Sequence, residues 1–485
     1  MKLFNTLTGK IDEIKSLDKQ GKSNEKSKEK GKGKENAKGA GKGKKLNLFV
    51  CGPTVYDHSH IGHARTYVFF DMIAKYLHYQ GFKTNFLINI TDIDDKMIAR
   101  SSQSGVPVPE IARVHLQSYL EDMRALGVKF TKYARATDYM PEIIQQVKQL
   151  LDKGYAYETP NGIYFDVTKF KEYGKLSKQP LNELNVHRIE PDPTKRHGAD
   201  FSLWKQQKQG EPAWNSPWGK GRPGWHIEDT AIAMHFFGEQ YDLHGGGIDL
   251  IFPHHEAEIA QAEAITGKKP YVKHWIHVAF LIIDGRKMSK SLGNILMIKD
   301  FLKSYPPEVL RILFLQTHYK RELNYTKEVV RTAEAAHEKL KILMEKLAEL
   351  KEKDSKKYDK GLRVTIGREK SKLLAAFDDD FDSPKALTIL FSIIKRVNTL
   401  FEENKLGKKN AEEVQKFLRE INSFLGILPK ERKVTISNEL QWLVDERERL
   451  RKEGKFRDAD KIREKLKEKG FVIEDTPQGP RARAI

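Results

Sequence analysis

A mostly apolar run from Leu46 to Val50 passes directly into Cys51-Gly52-Pro53-Thr54-Val55-Tyr56-Asp57-His58-Ser59-His60-Ile61-Gly62-His63, and from Ala64 to His78 apolar residues recur at helical spacing. The first run reads as a buried strand and the second as an amphipathic helix. Strand, loop and helix in that order point to an open α/β sheet, in which ligands gather outside the carboxyl ends of the strands. The start of the helix adds free backbone N–H groups and a positive dipole end, which favour phosphate. His60 and His63 flank Gly62 and set imidazole nitrogens beside that anion site. Taken alone, the two histidines fit helix capping or packing equally well.

At 485 residues the chain has room for two to four domains, each with a full core. No run approaches the ~18 apolar residues of a membrane span, and the start lacks a secretory pattern, so a soluble protein without a membrane partner is expected. The sole cysteine, Cys51, excludes an internal disulfide and fits a reducing cytoplasm. A formal net charge of +19 favours a polyanionic partner, because neutralising phosphates releases counterions. Part of that charge lies between Lys15 and Lys45, a Lys/Gly-rich insertion with almost nothing to bury, expected to be disordered. It reads either as a basic arm for RNA or as a solvated loop.

Leu3, Phe4 and Leu7 suffice for a short strand or anchor at the start. Thr84 to Ile90 reads as a second apolar strand, followed by Thr91-Asp92-Ile93-Asp94-Asp95, where a ligand could be read or a helix capped. From Ile111 to Leu151 the pattern is mostly helical, and Gly162 to Val167 looks like a strand in a separate inserted unit. Next come Gly224-Trp225-His226-Ile227-Glu228-Asp229, then His244-Gly245-Gly246-Gly247-Ile248-Asp249, then Phe252-Pro253-His254-His255-Glu256-Ala257-Glu258. His254 and Glu258 are four apart, so a helix after Pro253 would aim both from one face, as two ligands of one metal require. The three glycines permit close backbone approach to a nucleotide, although turns use them too. Lys287-Met288-Ser289-Lys290-Ser291 forms a cationic, donor-rich loop suited to a triphosphate, or a plain surface loop. Beyond Ile298 helices dominate: one opens at Pro306-Pro307, others run over Lys327 to Lys353, Ala386 to Asn404 and Ala411 to Leu425, and a helical pair plus a short strand closes the chain.

His60-Ile61-Gly62-His63 and Lys287-Met288-Ser289-Lys290-Ser291, in this order and about one Rossmann domain apart, resemble the motif pair of class I aminoacyl-tRNA synthetases. The blocks around Cys51, Trp225 and His254, with the closing Asp475-Thr476-Pro477-Gln478-Gly479, make the resemblance specific to cysteinyl-tRNA synthetases over nearly the whole chain. It implies a Rossmann-type α/β catalytic domain with a parallel sheet and an inserted connective subdomain, followed by a mostly α-helical region. The implied layout is 1–115 and 211–295 for the two catalytic halves, 116–210 for the insertion, 296–330 for a stem-contact region, 331–430 for a tRNA-binding helical bundle and 431–485 for an anticodon-binding domain.

The implied activity is ATP-dependent attachment of L-cysteine to tRNA(Cys) through a cysteinyl-adenylate, in a monomer carrying one zinc ion and using magnesium with ATP. In the family a zinc ion binds the substrate thiol through two cysteines, a histidine and a glutamate; the matching positions here are Cys51, Asp229, His254 and Glu258. Aspartate departs from the commoner cysteine but keeps the ligand charge and is an acceptable zinc donor. Glu228 is the alternative ligand, although its side chain would point elsewhere if 228 and 229 lie on a strand. The resemblance assigns His60, His63, Lys287 and Lys290 to the phosphates and Thr91 and Trp225 to the amino acid. Gly62 joins the ATP site, and Gly245, Gly246, Gly247 and Asp249 approach the adenosine. Arg447, Arg449, Arg451, Arg457 and Arg463 are candidate tRNA phosphate contacts. Two rivals remain: a ligase passing cysteine to a small amine, which would lack the long basic helical region, and a non-catalytic RNA-binding paralogue, for which the Asp229 change leaves room.

Overall fold

Leu3 is fully buried and anchors a hairpin of β1 (Lys2–Asn5) and β2 (Lys10–Glu13), tied to the main sheet by the Asn5 side chain on the Lys273 carbonyl and by the Thr6 N–H on that of Trp275. The computed structural model describes residues 1–18, 43–181, 191–289, 292–352, 357–429, 438–469, 471–476 and 479–484. Residues 19–42 of the basic insertion lie outside that set, and so does Lys290.

The expected strand and helix form β3 (Lys45–Val50) and α1 (Ile61–Tyr79), the latter burying Ile61, Ala64, Val68, Ile73 and Leu77. After β4 (Lys83–Ile90), α2 (Asp95–Ser104) is capped by Asp94, whose carboxylate accepts the Lys96 N–H at 2.9 Å. Next come α3 (Val108–Ala125), β5 (Lys132–Arg135) and α4 (Met140–Asp152). The mostly helical reading of 111–151 thus missed β5, whose four residues bury only Ala134 and leave too little apolar period to register. A domain boundary at 116 would fall inside α3, and the parallel sheet continues past it.

The inserted unit is an antiparallel sheet of β6 (Ala156–Thr159), β7 (Gly162–Phe165), β8 (Phe201–Gln206) and β9 (Gly221–Pro223), with the Phe165 and Phe201 rings stacked at 4.9 Å. The chain then returns through α5 (Trp225–Phe237), β10 (Tyr241–Gly247), α6 (Glu256–Thr266) and β11 (Val272–Val278). The main sheet is parallel throughout in the order β11-β10-β3-β4-β5. Its topology puts the ends of β3, β4 and β10 side by side, the usual place for a ligand in such sheets.

A hairpin of β12 (Leu281–Ile283) and β13 (Arg286–Lys287) carries the Lys287 loop, followed by α7 (Ile298–Ser304), α8 (Pro307–Leu315) and β14 (Leu323–Tyr325), which pairs with β12. Four helices complete the first compact unit, Met1–Leu428: α9 (Lys327–Glu352), α10 (Lys360–Asp378), α11 (Ser383–Glu402) and α12 (Lys408–Leu425). The sequence reading overlooked α10, because Gly361, Gly367 and the β-branched Val364-Thr365-Ile366 lower its intrinsic helix preference. The second unit, Pro429–Ile485, pairs α13 (Asn438–Lys452) with α14 (Phe456–Glu468) and a hairpin of β15 (Phe471–Thr476) and β16 (Gly479–Ala484), over a small core of Leu443, Val444, Leu466 and Ile473. Among the described residues no helix is long and apolar enough to cross a membrane.

Candidate active site and metal centre

His60 caps α1 with its own ring: Nδ1 accepts the N–H groups of Gly62 at 3.1 Å and His63 at 3.3 Å, while His63 Nδ1 accepts the His60 N–H at 3.4 Å. The two rings stack with centroids 3.7 Å apart. Burial lowers both imidazoles from their ordinary range, His63 to about 3 with the neighbouring His60 contributing. Both are therefore neutral near pH 7, and since each Nδ1 is an acceptor, the ring proton sits on Nε2. The capping reading and the phosphate reading thus coexist: one nitrogen of each ring holds the helix start, and the other is a donor.

The lysine loop lies against this histidine turn. A Cβ on Gly62 would come within 2.7 Å of Met288 Cε and 2.9 Å of His60 Nδ1, so the contact requires glycine. Past the loop, the Leu296 carbonyl accepts the Ile61 N–H and the Ile298 N–H bonds to Ser59, both at 3.0 Å. Asn294 braces the loop, accepting the Ser289 N–H at 3.0 Å and donating to the Lys287 carbonyl at 3.2 Å. Lys287 is exposed, with Nζ 4.8 Å from the Phe280 ring centre. The buried Arg65 of α1 donates to the carbonyls of Ala279, Phe280 and Arg321, tying that helix to the base of the β12–β13 hairpin.

Deeper, at the ends of β3 and β4, lies a buried polar cluster. Cys51, Asp229, His254 and Glu258 are all buried. Ligand atoms of Cys51, Asp229 and His254 lie within 4.8 Å of one another, and His254 Nε2 is 3.3 Å from Asp229 Oδ2 and 3.4 Å from Glu258 Oε1. His254 Nδ1 is engaged by His226 Nδ1 at 2.8 Å, which leaves Nε2 facing the carboxylates. Both oxygens of Glu258 are buried without a hydrogen-bond partner. Burial, then the adjacent charges of Asp229 and Glu258, push the Cys51 thiol well up; burial and Asp229 do the same to Glu258. Two carboxylates and a thiol crowded out of water are costly unless protonated or compensated by a cation. The donor set suits a tetrahedral dication such as zinc. Trp225 stacks on the His254 ring at 4.1 Å and remains partly exposed, and the Thr91 hydroxyl donates to Glu228 at 2.9 Å.

Three family models match the chain: tRNA synthetases class I (C) catalytic domain over 38–335, the DALR domain over 372–429, and the cysteinyl-tRNA ligase anticodon binding domain over 435–483. The cysteine–tRNA ligase of Thermococcus gammatolerans is 44% identical over 447 residues, covering 90% of this chain and 94% of the relative. The chain belongs to the cysteinyl-tRNA synthetase family. It is a class I aminoacyl-tRNA ligase that attaches cysteine to tRNA, with tRNA, ATP and an amino acid as partners. Solved synthetases share the fold at low identity. Methionyl-tRNA synthetase of Mycobacterium tuberculosis in complex with methionyl-adenylate aligns with a TM-score of 0.58 at 15% identity, covering 79% of this chain and 90% of its own. The leucyl-tRNA synthetase of Agrobacterium radiobacter in a ternary complex gives 0.59 at 11%, covering 80% and 84%.

In this cysteinyl-tRNA synthetase Glu228 and Asp229 lie on α5, not on a strand, and so point about 100° apart. Glu228 takes the Thr91 hydroxyl, and Asp229 faces Cys51 and His254. The glycines 245 to 247 belong to β10 itself, and protein explains two of them: a Cβ on Gly245 would meet the Phe70 ring at 2.0 Å, and one on Gly246 Leu250 and His255 at 2.8 and 2.9 Å. Gly247 abuts Asp249 Oδ1. The sequence reading passed over four residues of the pocket's surround. His226 orients His254, His244 and His255 form a second buried group with Glu258, and Asn89 bonds Asp229. Their signal was adjacency: His226 and His255 sit beside residues already singled out. A groove of about 1120 Å³ lies elsewhere, between α9 and α11.

Proposed function

We propose that the chain joins L-cysteine to ATP as cysteinyl-adenylate and passes it to the terminal 2′-hydroxyl of tRNA(Cys), in a pocket where Cys51, Asp229, His254 and Glu258 hold one zinc ion per chain. The observation that carries this is the convergence of the buried Cys51, Asp229 and His254 donors, with Glu258 Oε1 3.4 Å from His254 Nε2 and its carboxylate without a hydrogen bond. When bound, zinc supplies a position that prefers thiolate to hydroxyl, the distinction from serine that an apolar pocket makes poorly. Trp225 and Thr91 line the amino-acid side. His60 and His63 direct neutral Nε2–H donors at the phosphates beside Gly62, where charge develops as pyrophosphate leaves. Lys287 and Lys290 meet the β- and γ-phosphates, with magnesium, as their loop closes. Gly245, Gly246, Gly247 and Asp249 take the adenosine.

The sheet of β6 to β9 is the connective insertion within the catalytic domain; 296–330 meets the tRNA stem, 331–430 the tRNA body and 431–485 the anticodon, as a cytoplasmic monomer. Arg449, Arg451, Arg457 and Arg463 are phosphate contacts in this reading, whereas Arg447 is buried within the second unit and drops out of the set. The test is the metal content of the purified chain together with cysteine-dependent ATP–pyrophosphate exchange, with and without a chelator. Zinc near one per chain and exchange lost on chelation supports the reading; exchange that persists without zinc removes the metal assignment and leaves the ligase activity in place.

A further inference from the structure

Asp229 has two oxygens where a cysteine has one sulfur, and a carboxylate free to rotate can present either oxygen or both. Here one is taken. Asn89 on β4 is fully buried and donates Nδ2–H to Asp229 Oδ1 at 2.5 Å, leaving Oδ2 to face His254 Nε2 at 3.3 Å. The Asn89 amide is itself fixed, because its Oδ1 accepts the Gly52 N–H at 2.6 Å. Gly52 packs directly on the strand end, where a Cβ would meet the Asn89 carbonyl oxygen at 1.6 Å, so only glycine lets its N–H approach the amide this way. The backbone beside Cys51 thus sets the amide, the amide sets the carboxylate, and one oxygen is left to bind.

We infer that Asn89 is a positioning residue that makes Asp229 act as a single-atom ligand in a place suited to a thiolate. The inference rests on the zinc reading above. Asn89 near the end of β4 and Thr91 just past it hold the consecutive carboxylates Asp229 and Glu228 of α5, so this strand end sorts two adjacent acids, one toward the metal and one away from it. Outer partners of this kind hold a ligand's orientation and are worth roughly 10- to 100-fold in metal affinity. A thiolate has a single donor atom and needs no such sorting, so the dependence on Asn89 belongs to aspartate at this position.

The experiment measures zinc affinity of the full chain by competition with a chromophoric chelator for wild type, Asn89→Ala, Asp229→Cys and the double variant. Melting temperatures monitor folding, and visible spectra of cobalt-loaded samples report coordination number. Expected is a roughly 10- to 100-fold loss of affinity for Asn89→Ala in the aspartate background. In the Asp229→Cys background the loss is several times smaller. The cobalt bands of Asn89→Ala weaken as the released oxygen raises coordination above four. Asn89→Ser, which keeps a hydroxyl for Gly52 but does not reach Asp229, gives the same contrast if the alanine variant does not fold. An equal loss in both backgrounds, or none in either, overturns the inference while the zinc reading stands. Wild type that binds no zinc overturns both.

Discussion

The two halves of the active site are built on opposite terms. The proposed thiol pocket is closed: Cys51 is 5% exposed and Asp229, His254 and Glu258 are at 0%, each held by strand ends or by a helix already packed. The proposed phosphate side is open, with Lys287 exposed and Met288 half-buried at the end of a hairpin whose base is held by β14 and Arg65 and whose loop is braced by Asn294. The difference matches the tasks. Telling sulfur from oxygen needs fixed donors in a dry site, whereas a triphosphate must enter, be gripped and leave as pyrophosphate.

The largest expected effect sharpens this division from the open side. His63→Ala removes one oriented donor and should lower kcat of cysteine-dependent pyrophosphate exchange by roughly 10²- to 10³-fold, with zinc content unchanged. From the closed side, His254→Ala should lower zinc affinity by more than the roughly 10- to 100-fold typical of an outer partner and remove cysteine-dependent exchange, while ATP still binds at wild-type affinity in equilibrium titration. If either variant disturbs both readouts equally, the two halves are not separate. Gly62→Ala forces Met288 and the His60 ring aside, a clash on the order of 1–3 kcal/mol, read as a raised KM for ATP and a lower melting temperature.

Acid should destabilise the first unit through two buried histidines of β11. Burial holds His277 down to about 3 and His274 to about 4, against an ordinary value of 6.5, so between those limits the unfolded chain binds more protons. Their contribution to stability is full above about pH 6.5 and is lost as pH falls toward 4, on the order of 1.4 kcal/mol per pH unit for each group. Urea midpoints at pH 7, 6 and 5 measure it, and His277→Gln should flatten the slope. The smallest effect is Asn294→Ala, about 1 kcal/mol for the lost loop bonds, visible as a modest rise in KM for ATP alone.

What could be read from the sequence followed the same division. The open half is two short contiguous segments, 60–63 and 287–291, each beside a strand or a helix whose period is plain, and both were found with β3, α1 and β4. The closed half is assembled from β3, β4, α5 and α6, so its partners are distant in sequence. The four-residue spacing paired His254 with Glu258, but Cys51 and Asp229 were joined to them through family resemblance and not through spacing. Asn89 gave no signal at all, since an asparagine inside an apolar strand reads as an interruption until the carboxylate opposite it is known. The edge strand β5 and the glycine-bearing α10 were missed for the complementary reason: tertiary packing sets them against weak local preference.

One consequence of the Asp229 pocket concerns supply. Cys51 is the only cysteine in the 485 residues, and it sits in the pocket proposed to take the substrate cysteine. Translating one copy of this chain therefore draws a single cysteinyl-tRNA, the product the family makes. A second thiolate at position 229 would double that draw. Among pockets that keep a sulfur ligand, this one makes the smallest demand on its own product, so output of the enzyme is as loosely tied to the cysteine pool as such a site allows.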